Sequence, residues 1–169
     1  MAKKISMTLS SKSIRDAIKE LEKYRDSLEI KNEIFVKRLK EIGINVITSK
    51  IAQARTEDDK DLYIEDETKT LKSVVVARIR VTGKMILFIE FGAGVFYNQG
   101  NAHPLASQFG YGVGTYPGQT HAEDDFWFFI DENGDKHMSH GTEATMPLYN
   151  AYSEMYIQVL AIAREVFGS

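Results

Sequence analysis

The spacing of apolar residues in the first third of the chain is the strongest constraint on its fold. Ile14, Ile18 and Leu21 recur at intervals of three and four residues, and the same spacing continues to residue 54. This period is typical of an amphipathic helix. We predict that residues 1–55 are mostly helical, with a long helix that is bent or interrupted at Gly43.

Two shorter signals lie in front of this helix. Ile5, Met7 and Leu9 alternate with polar residues, which predicts a short, half-buried strand. Either Ser11 or Ser13 is a candidate N-cap, because a serine oxygen can accept an N–H group that the first helical turn leaves unpaired.

An acidic segment follows the helical region. Seven of the eleven residues at positions 57–67 are Asp or Glu. Like-charge repulsion and low apolar content favour an exposed, mobile connection, which we place at residues 56–69. Up to residue 55 the chain has 13 Lys and Arg against 7 Asp and Glu, and after it 8 against 17, so its two parts differ in sign.

The pattern then changes to a period of two. Residues 75–81 alternate between apolar and more polar positions, and Thr82 and Gly83 offer a tight turn. Residues 85–91 are apolar on both faces except at Glu90. We therefore predict an antiparallel hairpin whose second strand is well covered.

A second hairpin and a last helix complete the chain. Residues 126–130 predict a strand, residues 131–135 a turn, and residues 136–138 a strand that pairs back. A helix over residues 145–167 is expected to begin near Thr145, whose hydroxyl could cap it, with Pro147 in the first turn. The predicted fold is α+β in a single domain, 1–169: N-terminal helices, an antiparallel sheet of about four strands within residues 70–141, and a C-terminal helix packed on the sheet.

Residues 92–118 form a long segment that contains seven of the twelve glycines. Its aromatic residues are Phe96, Tyr97, Phe109, Tyr111 and Tyr116. They either cover the sheet or form an exposed surface for another protein, and we name them as the candidate assembly loop. We expect deletion of residues 96–116 to leave a folded monomer that cannot assemble. The absence of Lys and Arg between positions 95 and 136 argues against binding of nucleic acid.

The chain offers little for catalysis. It has no cysteine, and none of its serines lies in the Gly-x-Ser-x-Gly turn of a hydrolase. All four histidines fall between His103 and His140, but not at the spacing of a zinc-binding helix. We predict no catalytic residue, no metal site, no cofactor and no small-molecule substrate. A small metal-dependent hydrolase using His121, Asp124, His137 or His140 is the less favoured alternative.

Glu90 has two interpretations. Its apolar neighbours could tune it as a general acid, because desolvation favours the neutral carboxyl group. The favoured interpretation is structural: a glutamate at this position pairs with an arginine or accepts backbone N–H groups of the turn.

The overall composition is that of a globular protein in water. Apolar residues make up 43% of the chain and charged residues 27%, and no apolar run approaches the roughly 20 residues that a membrane helix needs. The basic start lacks the apolar core of a signal peptide. We expect neither export nor contact with a membrane.

The order of four motifs resembles a known family. These are Leu71-Lys72-Ser73, the Glu90-Phe91-Gly92 signature, the glycine- and aromatic-rich loop, and Pro147-Leu148-Tyr149-Asn150-Ala151. Over residues 70–151 the chain resembles the tail-completion, or head-to-tail joining, proteins of long-tailed bacteriophages. Family members usually have threonine where this chain has Ala93, and they often have a shorter loop.

The resemblance implies a structural role for Glu90, Phe91, Gly92, Pro147 and Tyr149. It also implies a non-enzymatic virion protein, made in the cytoplasm of the bacterial host, that forms a homo-oligomeric ring, commonly sixfold, at the neck or tail terminus. Its partners would be further copies of itself, the tail tube and the head connector. A protein-binding adaptor of the same fold is the alternative.

Overall fold

The protein is described by a computed structural model that covers residues 5–56, 61–71, 74–99, 103–121 and 123–168. Within these ranges lie three α-helices, a 3-10 helix and four strands. Their order is α1 (Ser11–Gln53), β1 (Tyr63–Leu71), β2 (Val74–Thr82), α2 (Ile86–Phe91), the 3-10 helix (Ala106–Phe109), β3 (Trp127–Ile130), β4 (Lys136–Ser139) and α3 (Pro147–Phe167). The predicted α+β class is confirmed.

Helix α1 is one continuous helix of 43 residues, about 65 Å long at 1.5 Å per residue. Its N-cap is Ser10, whose hydroxyl accepts the N–H of Ser13 at 3.2 Å, so the choice of Ser11 or Ser13 as the cap was wrong. The predicted interruption at Gly43 was also wrong. A Cβ at position 43 would lie 2.8 Å from Ile79 and 2.9 Å from Met155, so the glycine makes room for β2 and α3 to pack on α1.

The expected strand at residues 5–9 does not form. Residues 5–8 have no regular structure, and the side chains of Met7 and Leu9 are exposed. Alternation alone does not make a strand when no neighbouring strand is there to pair with it.

The acidic connection is the largest error of the sequence analysis. Its residues 57–60 lie outside the described residues, but residues 63–71 form β1, which pairs with β2 in antiparallel register from Tyr63–Thr82 to Leu71–Val74. The register places an arginine of β2 opposite each of two glutamates of β1. Opposite charges across a strand pair remove the repulsion on which the prediction depended.

The first predicted hairpin therefore pairs residues 75–81 with the wrong segment of the chain. Residues 75–81 do lie in a strand, β2, but residues 86–91 form helix α2 instead of the strand after it. A short run that is apolar on both faces is compatible with a buried helix as well as with a buried strand. Met85 and Ile89 lie one helical turn apart and pack with Ala54 in a buried core cluster.

The second hairpin is confirmed. Strands β3 and β4 pair antiparallel, and the turn between them contains Asn133 and Gly134 as predicted. The described strands form two separate two-stranded sheets, however, and not one sheet of about four strands.

Helix α3 packs along α1 and not on a sheet, which corrects the predicted arrangement. Near its start, the Thr145 hydroxyl donates to the carbonyl of Lys50 at 2.8 Å. At its far end Phe167 packs on Phe35, with ring centroids 5.7 Å apart, so the two helices run antiparallel. The first half of α1 extends past this contact.

Candidate functional site

The buried carboxylate of Glu90 lies at the centre of the molecule's best-organised polar site. Its Oε2 accepts the N–H of Leu148 at 2.8 Å, and its Oε1 accepts the N–H of Tyr149 at 3.0 Å. The same Oε1 lies 2.9 Å from Nε2 of His103. We call these four residues the Glu90 cluster.

Glu90 acts as the N-terminal cap of α3 from another part of the chain. The residue before the helix, Met146, has a left-handed backbone (φ 53°) and gives no side-chain cap, and Pro147 has no N–H to satisfy. The next two donors, on Leu148 and Tyr149, both point at Glu90. The predicted cap, Thr145, instead bonds to Lys50 of α1. A carboxylate is also favoured here by the positive end of the helix dipole.

His103 completes the site as a hydrogen-bond donor. Its Nδ1 accepts the N–H of Leu105 at 3.1 Å, so the ring proton is assigned to Nε2, which donates to Glu90. The side chains of Glu90 and His103 are only 6% and 4% exposed. With three donors on a buried carboxylate, the geometry favours the structural interpretation of Glu90 over the general acid.

Aromatic rings cover this site. Tyr111 stacks on Phe91 with ring centroids 3.9 Å apart and planes within 3°, while Phe91 also contacts the His103 ring at 4.7 Å. The Tyr149 ring meets His103 edge-on at 5.1 Å. The signature Glu90-Phe91-Gly92 thus supplies a carboxylate and a ring to the same buried junction.

Asn98 holds the next turn of the chain and is itself fully buried. Its amide nitrogen donates to the carbonyls of Gly94 (2.7 Å) and Thr142 (3.0 Å), and its oxygen accepts the N–H of Ala144 at 2.8 Å. A Cβ on Gly92 would lie 2.7 Å from this amide, so only glycine, with φ 84°, fits there. This network fastens the start of the loop to the segment before α3.

The five aromatic residues of the candidate assembly loop divide between the two predicted roles. Tyr97, Tyr111 and Tyr116 are half-buried, and burial raises the pKa of Tyr116, whose ring meets Phe88 at 4.9 Å. Phe96 and Phe109 are 42% and 58% exposed. The loop therefore both covers the core and presents aromatic surface.

These contacts change one expectation about the loop. Asn98 and His103 are buried within residues 96–116, so we now expect deletion of that stretch to disrupt folding as well as assembly. Neither residue was singled out in the sequence. The only signal for His103 was that it is the single imidazole in a glycine-rich run, where buried polar groups need partners. Asn98 is one of four amides in that run, so nothing in the sequence distinguished it.

The histidines of the hydrolase alternative bind separate partners. His121 lies 2.9 Å from Asp124, and His137 lies 3.0 Å from Asp131. The carboxylate of Asp131 accepts the N–H groups of Asp135 and Asn133, and these bonds, with that to His137, lower its pKa. Within the described residues, no three His, Asp or Glu side chains are grouped to hold a metal ion.

The comparisons with known proteins found no match. No protein-family model matches the chain, and neither the curated proteins nor the solved structures contain a match to it. Among the helices that the structure describes, none combines the length and the apolar character needed to cross a bilayer.

Proposed function

We propose that this chain is a structural protein of a bacteriophage neck or tail terminus. It would complete the tail and help to join it to the head as a homo-oligomeric ring, commonly sixfold. The tail tube and the head connector would be its neighbours, and it would reach the virion after synthesis in the host cytoplasm.

The observation that carries the proposal is the contact between two motifs of the family resemblance. Glu90-Phe91-Gly92 and Pro147-Leu148-Tyr149 lie 55 or more positions apart in the chain, yet Glu90 binds the first free N–H groups of the helix that Pro147 begins. The two motifs meet in one junction, and the helix that the second motif begins is capped by the first. This dependence of one motif on the other supports the resemblance to the family.

The exposed apolar faces of the two long helices support an assembly role. On α1 the side chains of Ile18 and Leu21 are 50% and 55% exposed. On the outer face of α3, exposed fractions are 61–72% for Tyr152, Tyr156, Ile157 and Leu160. Contiguous apolar surface of this kind marks sites of protein contact.

Solution mass tests the proposal. We expect light scattering over a concentration series to show one discrete multimer that increases with concentration, and negative-stain images of that species to show a ring with a central opening. A monomer at every concentration would contradict self-assembly and favour the adaptor. Open filaments would contradict a closed ring.

A further inference from the structure

The hairpin of β1 and β2 leaves two strand edges without partners among the described residues. Each strand has nine residues, and each pairs only with the other. In an antiparallel pair, every second residue of an outer strand directs its N–H and C=O away from the partner. Such edges are templates for a further strand, and proteins usually shorten them, cover them, place charged side chains on them or interrupt them with proline. Residues 61–82 contain no proline.

The outer face of this hairpin carries charges of opposite sign on its two strands. Glu65 lies opposite Arg80, and Glu67 lies opposite Arg78. We call these four residues the charge ladder. The alternating burial of β2 turns both arginines away from α1, and Glu65 and Arg80 are 64% and 57% exposed at a separation of 4.0 Å. At these four positions β1 is acidic and β2 is basic. Lys69 lies on the same face of β1 and forms an ion pair with Glu67.

We propose that β1 of one copy pairs with β2 of the next copy, so that neighbouring hairpins form one continuous antiparallel sheet. This inference rests on the proposed ring and assigns its subunit contact. The occupant of each free edge is thus a second copy of this chain.

The charge ladder selects this pairing over the alternatives. If β1 met β1 of another copy with the ladder positions aligned, Glu65 and Glu67 would face glutamates; if β2 met β2 in the same way, Arg78 and Arg80 would face arginines. Like charges on adjacent strands are destabilising, whereas opposite charges stabilise. With the ladder positions aligned, β1 against β2 places the glutamates of one copy beside the arginines of the next.

The direction of the strands agrees with a ring. Because β1 and β2 are antiparallel, adding β1 of the next copy antiparallel to β2 gives every copy the same orientation along the strands. Such a contact joins unlike patches on successive copies, which is the kind of contact that a closed ring requires. Contacts between like edges would give twofold dimers instead.

No described strand pairs with the outer edge of β2. An apolar groove of about 470 Å³ lies between α1, β2 and α3, and its walls include Val75, Ala77 and Ile79 of β2. Because α3 packs on α1, it does not form a sheet partner for β2.

The test uses two variants of this chain, each of which places charges of one sign on both strands of the hairpin. Glu65→Lys with Glu67→Lys makes both strands basic, and Arg78→Glu with Arg80→Glu makes both acidic. We expect each variant alone to need at least about tenfold more protein than the wild type to reach half assembly. Mixed in equal amounts, the two should recover the wild-type mass, because basic and acidic hairpins can alternate around the ring.

Mixing separates contacts between copies from contacts within a copy. Repulsion inside one hairpin persists in the mixture, so only intermolecular pairing explains recovery. Matched controls carry the same change of charge on exposed residues outside the hairpin: Glu123→Lys with Glu132→Lys, and Lys84→Glu with Lys136→Glu. These controls should assemble like the wild type.

The outcomes distinguish this inference from the proposed function. A wild type that forms rings while both hairpin variants also form them overturns the edge contact and leaves the ring. Folded variants that stay monomeric when mixed overturn it as well, and a wild type that never assembles overturns both proposals. If circular dichroism shows that a double variant is unfolded, the milder pair Glu65→Lys and Arg80→Glu repeats the mixing test.

Discussion

The Glu90 cluster and the charge ladder are built from similar residues but lie in opposite environments. The carboxylate of Glu90 is buried and accepts three hydrogen bonds of 2.8–3.0 Å, whereas Glu65 is mostly exposed and lies 4.0 Å from Arg80. Removal of a buried acceptor leaves its donors unpaired and lowers the free energy of unfolding, whereas an exposed ion pair contributes little to that free energy. The comparison assigns Glu90 to folding and shows that the ladder is accessible to the proposed contact between copies.

Removal of the Glu90 carboxylate should give the largest effect. We expect Glu90→Ala to lower the free energy of unfolding by about 3–5 kcal/mol, because the N–H groups of Leu148 and Tyr149 and the Nε2–H of His103 lose their acceptor. Chemical denaturation measures the change.

The matched control for this prediction is Glu132→Ala. Glu132 is 90% exposed, so its loss should change the free energy of unfolding by less than about 0.5 kcal/mol. Equal effects of the two substitutions would contradict the assignment of Glu90 to folding.

A methyl group at Gly141 should give the next largest effect. A Cβ there would lie 1.8 Å from the carbonyl oxygen of Ala93, which accepts the N–H of Thr142 at 2.9 Å, and the backbone has φ 89°. We expect Gly141→Ala to lower the free energy of unfolding by about 3 kcal/mol, from backbone strain and loss of the hydrogen bond between Thr142 and Ala93.

Gly118 separates these two causes, since its φ is similar at 93° but no atom lies within 4 Å of its Cβ position. Gly118→Ala should cost only the strain, about 1 kcal/mol. If both alanine variants unfold at the same denaturant concentration, the close approach at Gly141 contributes nothing.

Loss of a single ladder charge should give the smallest effect on stability. We expect Arg80→Ala to change the free energy of unfolding of the monomer by less than about 0.5 kcal/mol, because its partner Glu65 is exposed and distant. Thermal unfolding at a concentration below assembly measures this. A large loss of monomer stability would show that the ladder holds the hairpin together within one copy, and would weaken the assignment to subunit contact.

Segments whose apolar residues repeat a clear period on one face, and that pack against a neighbouring segment, were predicted correctly. Helix α3 and strand β2 were predicted because Leu148, Ala151 and Met155, or Val75, Ala77 and Ile79, repeat a clear period on one face. Residues 85–91 were assigned to a strand, but nearly all of them are apolar. Such a run has no period that distinguishes a buried strand from a buried helix. The acidic run was misassigned because opposite charges on β2 pair with it, and such pairing is not visible within the run itself.

The functional residues show the same division. Glu90 was named, and the favoured interpretation was a structural role, either pairing with an arginine or accepting backbone N–H groups of the turn. Its actual partners begin α3, at Leu148 and Tyr149, and His103 and Asn98 were missed. Long-range partners of a polar side chain depend on how the chain returns on itself, which a local pattern does not contain.

By itself the sequence determined the two long amphipathic helices, one long strand, the β3–β4 hairpin and the absence of cysteine chemistry, because these follow from local spacing and residue type. Only the tertiary structure decided that Gly43 lies under Ile79 and Met155 in an unbroken helix, and that Glu90 caps α3. It also decided that Glu65 and Glu67 face Arg80 and Arg78. Each of these contacts depends on which distant segments of the chain meet. The exposure of a side chain and its interactions with charged groups are defined only once those segments are in contact.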